Sequence, residues 1–217
     1  MKELLEQVAR LGKRYHAQRV MLYGSRARGD HRENSDIDIA VYGMPAENRV
    51  LFEDAIENLP TLLDFDIAYI TERTEAAFAR NITKDGVILM DKFTEKYGKL
   101  CKAVERLREA ADTYRRTGLD EVRDGVIQRF EFCTELAWKT LREKLIDEGY
   151  TELNSPKAVL RQAYAAGLLV DENAWLSLLG DRNLTSHIYD EETAAEIYGH
   201  IQDSYILLLG ELVKRLA

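Results

Sequence analysis

Asp36 and Asp38 stand two residues apart in an otherwise apolar run, Ser35-Asp36-Ile37-Asp38-Ile39-Ala40-Val41. On a β-strand, side chains alternate between faces, so the two carboxylates project from one side and Ile37, Ile39 and Val41 from the other, into a core. Carboxylates held side by side repel each other, and a divalent cation is the usual means of relieving that cost. Upstream lies Leu22-Tyr23-Gly24-Ser25-Arg26-Ala27-Arg28-Gly29. Gly24 lets the backbone turn sharply and approach a ligand closely. A helix beginning near Ser25 would aim free backbone N–H groups and its positive dipole end at that ligand. The Ser25 hydroxyl adds a donor, and Arg26 and Arg28 add positive charge. A phosphate cradle beside a carboxylate metal clamp is what transfer of a nucleotidyl group from a triphosphate requires: charge neutralisation and a hold on the departing pyrophosphate.

Whole-chain properties set bounds. The 217 residues suffice for two compact domains, and 46% hydrophobic with 31% charged residues is ordinary globular composition. The net charge is −8, and neither part is basic: residues 1–92 carry 13 Lys and Arg against 16 Asp and Glu, residues 93–217 carry 17 against 22. That argues against broad non-specific nucleic-acid binding and leaves room for a local cationic pocket. Two cysteines, Cys101 and Cys133, show no metal-ligand spacing and no disulfide framework. Residues 1–19 lack an apolar signal core, and the apolar run at Tyr205–Leu209 is too short for a membrane span. A soluble cytoplasmic protein is expected.

The elements that must position the acids follow in order. Leu4, Leu5, Val8 and Leu11 share a helical face. Strands are expected at 20–23, from Asp36 to Val41, at 62–70 and at 86–90. Helices are expected from about Pro45 to Leu59 and from Thr74 to Asn81. After Lys92 strand patterning stops. Leu100, Val104, Leu107, Ala111 and Tyr114 mark one long helix, ended by Gly118, and 121–148 a second with an unusually wide apolar surface. That width suggests contacts on more than one side, including a dimer face. Ser155-Pro156 and Asp171 read as helix starts, and Gly167 as a helix end. A last helix is expected from Asp190 to about Leu216.

The combination of Gly24-Ser25, Ala27-Arg28-Gly29 and Ser35-Asp36-Ile37-Asp38 resembles the signature of the DNA polymerase β-like nucleotidyltransferases, in the minimal nucleotidyltransferase (MNT) branch. The resemblance implies a third carboxylate on the neighbouring strand that helps hold the metal and orients or deprotonates the attacking hydroxyl. Asp66 is the choice, because it lies deeper in the 62–70 run and precedes Ile67-Ala68-Tyr69; Asp64 is the runner-up. Asp36, Asp38 and Asp66 are then the expected metal ligands, with two Mg²⁺ ions and ATP as donor. Gly24, Ser25, Arg26 and Arg28 are the expected nucleotide-binding residues.

A second informative stretch is Asp181-Arg182-Asn183-Leu184-Thr185-Ser186-His187-Ile188-Tyr189-Asp190. On an unbroken helix Arg182 and His187 would lie about 140° apart, so a turn between Thr185 and Tyr189 is inferred. With the run from Arg123 to Thr140 and Asn154-Ser155-Pro156, this stretch resembles the HEPN superfamily, in the branch of nucleotidyltransferase substrate-binding proteins. The resemblance spans nearly all of 93–217. It implies that Arg182 and His187 cleave RNA without metal, and that Tyr189 accepts AMP from an MNT partner. Partners are usually separate chains; here they are fused. His16, His31 and His200 show no partner pattern and read as surface or packing residues.

The expected architecture is α/β plus all-α: a small mixed-sheet nucleotidyltransferase domain over 1–92, then a HEPN-like antiparallel helical bundle over 93–217. Expected partners are a nucleoside triphosphate, the chain's own or a neighbouring copy's HEPN domain as acceptor, and RNA; a homodimer through the helical domain is expected.

Overall fold

The computed structural model describes residues 1–185 and 191–217. The chain forms two compact units, Met1–Lys92 and Phe93–Ala217.

The first unit runs α1 (Lys2–Arg14), β1 (Arg19–Leu22), α2 (Gly24–Arg28), β2 (Ile37–Tyr42), α3 (Ala46–Glu57), β3 (Phe65–Ile70), α4 (Ala76–Asp85) and β4 (Val87–Asp91). The four strands are ordered β3-β2-β1-β4. β1 is antiparallel to both β2 and β4, and β3 returns parallel to β2 through α3, so the sheet is mixed. One sheet face packs against α1 and α3. Val20 and Leu22 from β1, and Ile37, Ile39 and Val41 from β2, meet Val8, Phe52 and Ile56 there, all almost fully buried. The period-two pattern of the sequence thus becomes a buried face. On the opposite face Met21, Ala40 and Ile82 form a small cluster flanked by Tyr23, Tyr42 and Ile70, with Ile82 supplied by α4. Asp38 lies on this thinner side.

The second unit is helical: α5 (Lys92–Thr117), α6 (Asp120–Asp147), α7 (Pro156–Ala165), α8 (Glu172–Leu184), α9 (Glu191–His200), a π-helical turn (Ile201–Tyr205) and α10 (Ile206–Leu216). Val126, Phe130, Cys133, Ala137, Leu141 and Leu145 recur every three to four residues on α6 and are buried. They make α6 the spine of a core that includes Leu107, Val159, Trp175, Leu178, Ile197 and Leu209. The ring of Phe130 stacks on Tyr205 at 5.4 Å. Ser155 and Asp171 cap α7 and α8, accepting hydrogen bonds from the N–H groups of Ala158 (3.2 Å) and Ala174 (3.0 Å). Gly118 and Gly167 hold left-handed φ angles of 62° and 75° after α5 and α7. The expected uninterrupted last helix is instead broken by the π turn, which adds a residue to the ladder and re-aims Tyr205. Phe132 on α6 remains 56% exposed, so part of the wide apolar surface is not used inside this unit.

No helix among the described residues is long and apolar enough to cross a membrane.

Candidate active site

β2 and β3 pair in register with Asp38 opposite Asp66. Neighbouring residues across a parallel pair point to the same face, so the two carboxylates stand side by side on the α4 side of the sheet. The same register carries Asp64 towards Asp36, beyond the strand ends. The expected strand at 62–70 begins only at Phe65, so Asp64 falls outside it and the register sets Asp66 beside Asp38. Asp36 departs from the expected strand: β2 begins at Ile37, and Asp36 is an exposed residue just before it. The reason is local. The N–H of Ser35 donates to the carbonyl of Arg32 (3.1 Å) and the N–H of Arg32 to the Ser35 hydroxyl (3.0 Å), closing a turn that ends only at Asp36.

Helix α2 fits tightly against these acids. The N–H of Tyr23 donates to the carbonyl of Asp38 at 2.9 Å. Gly24 follows with φ +69°, and a Cβ built there would lie 2.1 Å from Asp38 Oδ2. A side chain at Gly24 is excluded twice, by the left-handed backbone and by the carboxylate. Ser25 begins the turn, and its carbonyl accepts from Gly29 and Asp30. Arg28 pairs with Asp30 at 3.2 Å, both exposed. Arg26, read from the sequence as a phosphate ligand, directs its guanidinium to backbone carbonyls of Glu33, Ser35 and Asp36.

The electrostatics follow from this crowding. Burial, then Asp66 and Asp36, push the Asp38 carboxyl above the usual carboxylate range, while Arg28 and Arg26 pull it back. Tyr23 is pushed up to about 12 by burial and by the charges of Asp66 and Asp38. Its ring packs edge-on against Phe78 of α4 at 5.7 Å. Tyr23 thus borders the acids and Phe78 backs it, a role the sequence reading did not give them. The only sequence signal for it is the position of Tyr23 directly before the Gly-Ser turn.

Oxygen ligands of this kind suit Mg²⁺, which takes one or two carboxylates and completes its shell with water and substrate phosphate. The donor type and the shared face fit such an ion, and the mutual repulsion at Asp38 is the strain it would relieve. Among the described residues no three His, Cys, Asp or Glu side chains already converge into a metal cage. The fit is therefore to an open site that substrate oxygens complete.

In the helical unit, Arg182 on α8 bonds the Glu135 carboxylate of α6 at 3.0 Å, one-third exposed. Burial pushes the Glu135 pKa up, but Lys139 and Arg182 outweigh it and hold the carboxyl below its usual range. The Thr185 hydroxyl lies within hydrogen-bond distance of both the Glu131 carboxylate and the carbonyl of Arg182, and its one proton serves either. Buried Arg123 of α6 bonds Glu191 at 2.7 Å. Arg123, Glu131 and Glu135, all on α6, thus anchor the chain on both sides of 186–190. His187 and Tyr189 lie outside the described residues. His200, read as unpartnered, bonds Asp181 through Nδ1 at 2.7 Å, and the Tyr205 hydroxyl donates to the same Asp181 oxygen at 2.7 Å. The sequence reading missed this cluster because His200 and Tyr205 lie 19 and 24 residues from Asp181, and Tyr205 stands in the π turn.

A family model described as polymerase beta nucleotidyltransferase matches residues 6–95, and one described as nucleotidyltransferase substrate binding protein like matches residues 95–217. A Haemophilus influenzae protein named probable ribonuclease HepT is 36% identical over 98 residues, spanning 42% of this chain and 67% of the relative. A crystal structure from Thermus thermophilus aligns at 36% identity with a TM-score of 0.49, covering 54% of this chain and 98% of that one. A Haemophilus influenzae structure, described as the fold of a substrate binding domain of a nucleotidyltransferase, aligns at 28% identity with a TM-score of 0.44, covering 57% and 96%. The chain belongs to the nucleotidyltransferase substrate binding protein like family through its helical unit, and carries a polymerase beta-type nucleotidyltransferase domain ahead of it.

Proposed function

We propose that the first unit is an Mg²⁺-dependent adenylyltransferase that moves AMP from ATP to a hydroxyl acceptor, with Tyr189 of this chain or of a neighbouring copy as that acceptor. The observation that carries the reading is the pairing of Asp38 with Asp66, with Asp36 two residues along the chain from Asp38. In it, Asp36, Asp38 and Asp66 hold the metal, and Ser25, the α2 N–H groups and Arg28 hold the triphosphate. Magnesium, when bound, neutralises phosphate charge and favours the ionised acceptor. Asp66 takes the acceptor proton; the freed oxygen bonds the α-phosphorus as the bond to pyrophosphate breaks. A tyrosine phenol has an ordinary pKa of about 10 and needs such help to react near neutrality. Adding AMP at Tyr189 places bulk and negative charge next to His187 in sequence, which would silence an RNA-cutting site there.

Intact-mass spectrometry after incubation with ATP and Mg²⁺ tests this. A mass gain of one adenylyl group, mapped to Tyr189 and lost in Asp36→Asn/Asp38→Asn, is expected. Labelling that persists in that double variant overturns the transferase assignment. Labelling of added macromolecules alone overturns Tyr189 as acceptor.

A second reading, ribonuclease action of the helical unit, is favoured by the HepT relative. In it His187 exchanges protons with the ribose 2′-OH and leaving oxygen, and Arg182 steadies the phosphorus. Loss of RNA cleavage in Arg182→Ala and His187→Ala, with cleavage kept in the aspartate variants, is the expected outcome. A homodimer through the exposed Phe132 side of α6 goes with either reading, and light scattering of wild type against Phe132→Glu reads it out.

A further inference from the structure

We propose that Arg26 is a positioning residue that holds Asp36 in place, and that Arg28 is the arginine left to meet the phosphates; the inference rests on the nucleotidyl-transfer reading above. Arg26 Nε donates to the carbonyls of Ser35 (2.9 Å) and Asp36 (3.2 Å), and Nη2 to those of Ser35 (2.6 Å) and Glu33 (3.0 Å). Three carbonyls within four residues thus converge on one guanidinium. Its planar fork of donors can serve several fixed acceptors at once, which a lysine ammonium cannot do from the same stem.

The bracing falls where the strand gives none. Asp36 precedes β2, outside the β2–β3 pairing that fixes Asp38 and Asp66. Asp38 is located by that pairing and by the close approach of Gly24. Asp36 is located by the Arg32–Ser35 turn and by Arg26. The five-residue α2 carries both Gly24 and Arg26, so this one short helix sets the spacing of the two acids. Arg28 is differently disposed. It is exposed, its carboxylate partner Asp30 is more exposed still, and a pair of that kind is weak and readily exchanged for a triphosphate oxygen.

The test uses the full chain with Arg26→Lys, Arg26→Gln and Arg28→Ala. Hydrogen exchange over residues 30–38, measured in EDTA, should quicken about tenfold or more in both Arg26 variants and not in Arg28→Ala. Mn²⁺ binding without nucleotide, followed by electron paramagnetic resonance, should weaken about 10–100-fold in the Arg26 variants, the usual effect of losing an outer-shell support. In turnover, both Arg26 variants should need more Mg²⁺ and lose kcat, with KM for ATP at saturating Mg²⁺ within about twofold of wild type. Arg28→Ala should raise that KM. Rescue by Arg26→Lys, or a raised KM with the 30–38 segment still protected, makes Arg26 a phosphate ligand and overturns the proposal. Wild-type protein that neither binds Mn²⁺ nor transfers a nucleotide fails the transferase reading itself. That failure is told apart by exchange that still quickens without metal, and it leaves Arg26 bracing a loop of no catalytic consequence.

Discussion

At the residue scale, the proposed transfer chemistry and the stability of the fold conflict at Asp38. Its carboxyl is raised in the folded protein by burial and by Asp66 and Asp36. A raised folded-state value favours the fold fully below the ordinary aspartate pKa, and that advantage is lost as pH rises through the raised value. At neutral pH the metal-free protein therefore bears the repulsion. Asp38→Asn should raise the metal-free Tm by about 1–3 °C, small because the group is partly solvated, while transfer falls at least about 100-fold. Added Mg²⁺ should stabilise wild type and leave the variant unmoved in differential scanning fluorimetry. Protons compete with metal at the same oxygens, so half-saturating Mg²⁺ should climb as pH falls towards the raised Asp38 value. Gly24→Ala meets both a left-handed φ of 69° and the Asp38 oxygen, and should cost about 1–3 kcal/mol in urea unfolding together with the activity. The placing of Asp38 on the strand was legible, because it alternates with Ile37 and Ile39; that of Asp36, which stands before β2, was not. The orientation of Arg26 was not, since its acceptors are main-chain carbonyls seven to ten residues away and carry no residue-type signal.

At the element scale, periodicity located most helices and strands, because both faces of the pattern are filled: Ile37, Ile39 and Val41 inward, Asp38 outward. The capping residues Ser155 and Asp171 were equally readable, since a cap is a local bond. What the sequence could not supply was pairing. The choice between Asp64 and Asp66 turns on the register of β3 against β2, a contact made across the whole of α3. The same holds for His200, which ends α9 and meets Asp181 of α8 only through the packing of the two helices. In α6, Phe130 is fully buried and stacked on Tyr205. Phe130→Ala should cost about 3–5 kcal/mol and should be seen as a lowered denaturation midpoint of the helical unit.

At the scale of the whole molecule, each unit has its own core, one centred on the sheet and one on α6. Both tryptophans, Trp138 and Trp175, belong to the helical unit. Tryptophan emission thus reports on that unit, whereas far-ultraviolet dichroism reports on both. The two unfolding curves should not coincide, and Phe52→Ala in the sheet unit should shift the dichroism curve alone. Coincident curves would mean that the units melt as one. The parallel pairing of β3 has one further result for the working protein. β3 lies at the margin of the sheet, bonded to a neighbour on one side only, yet it carries Asp66. Peeling of that strand would detach one acid while the rest of the sheet endures, so warming should extinguish catalysis several degrees before the chain melts.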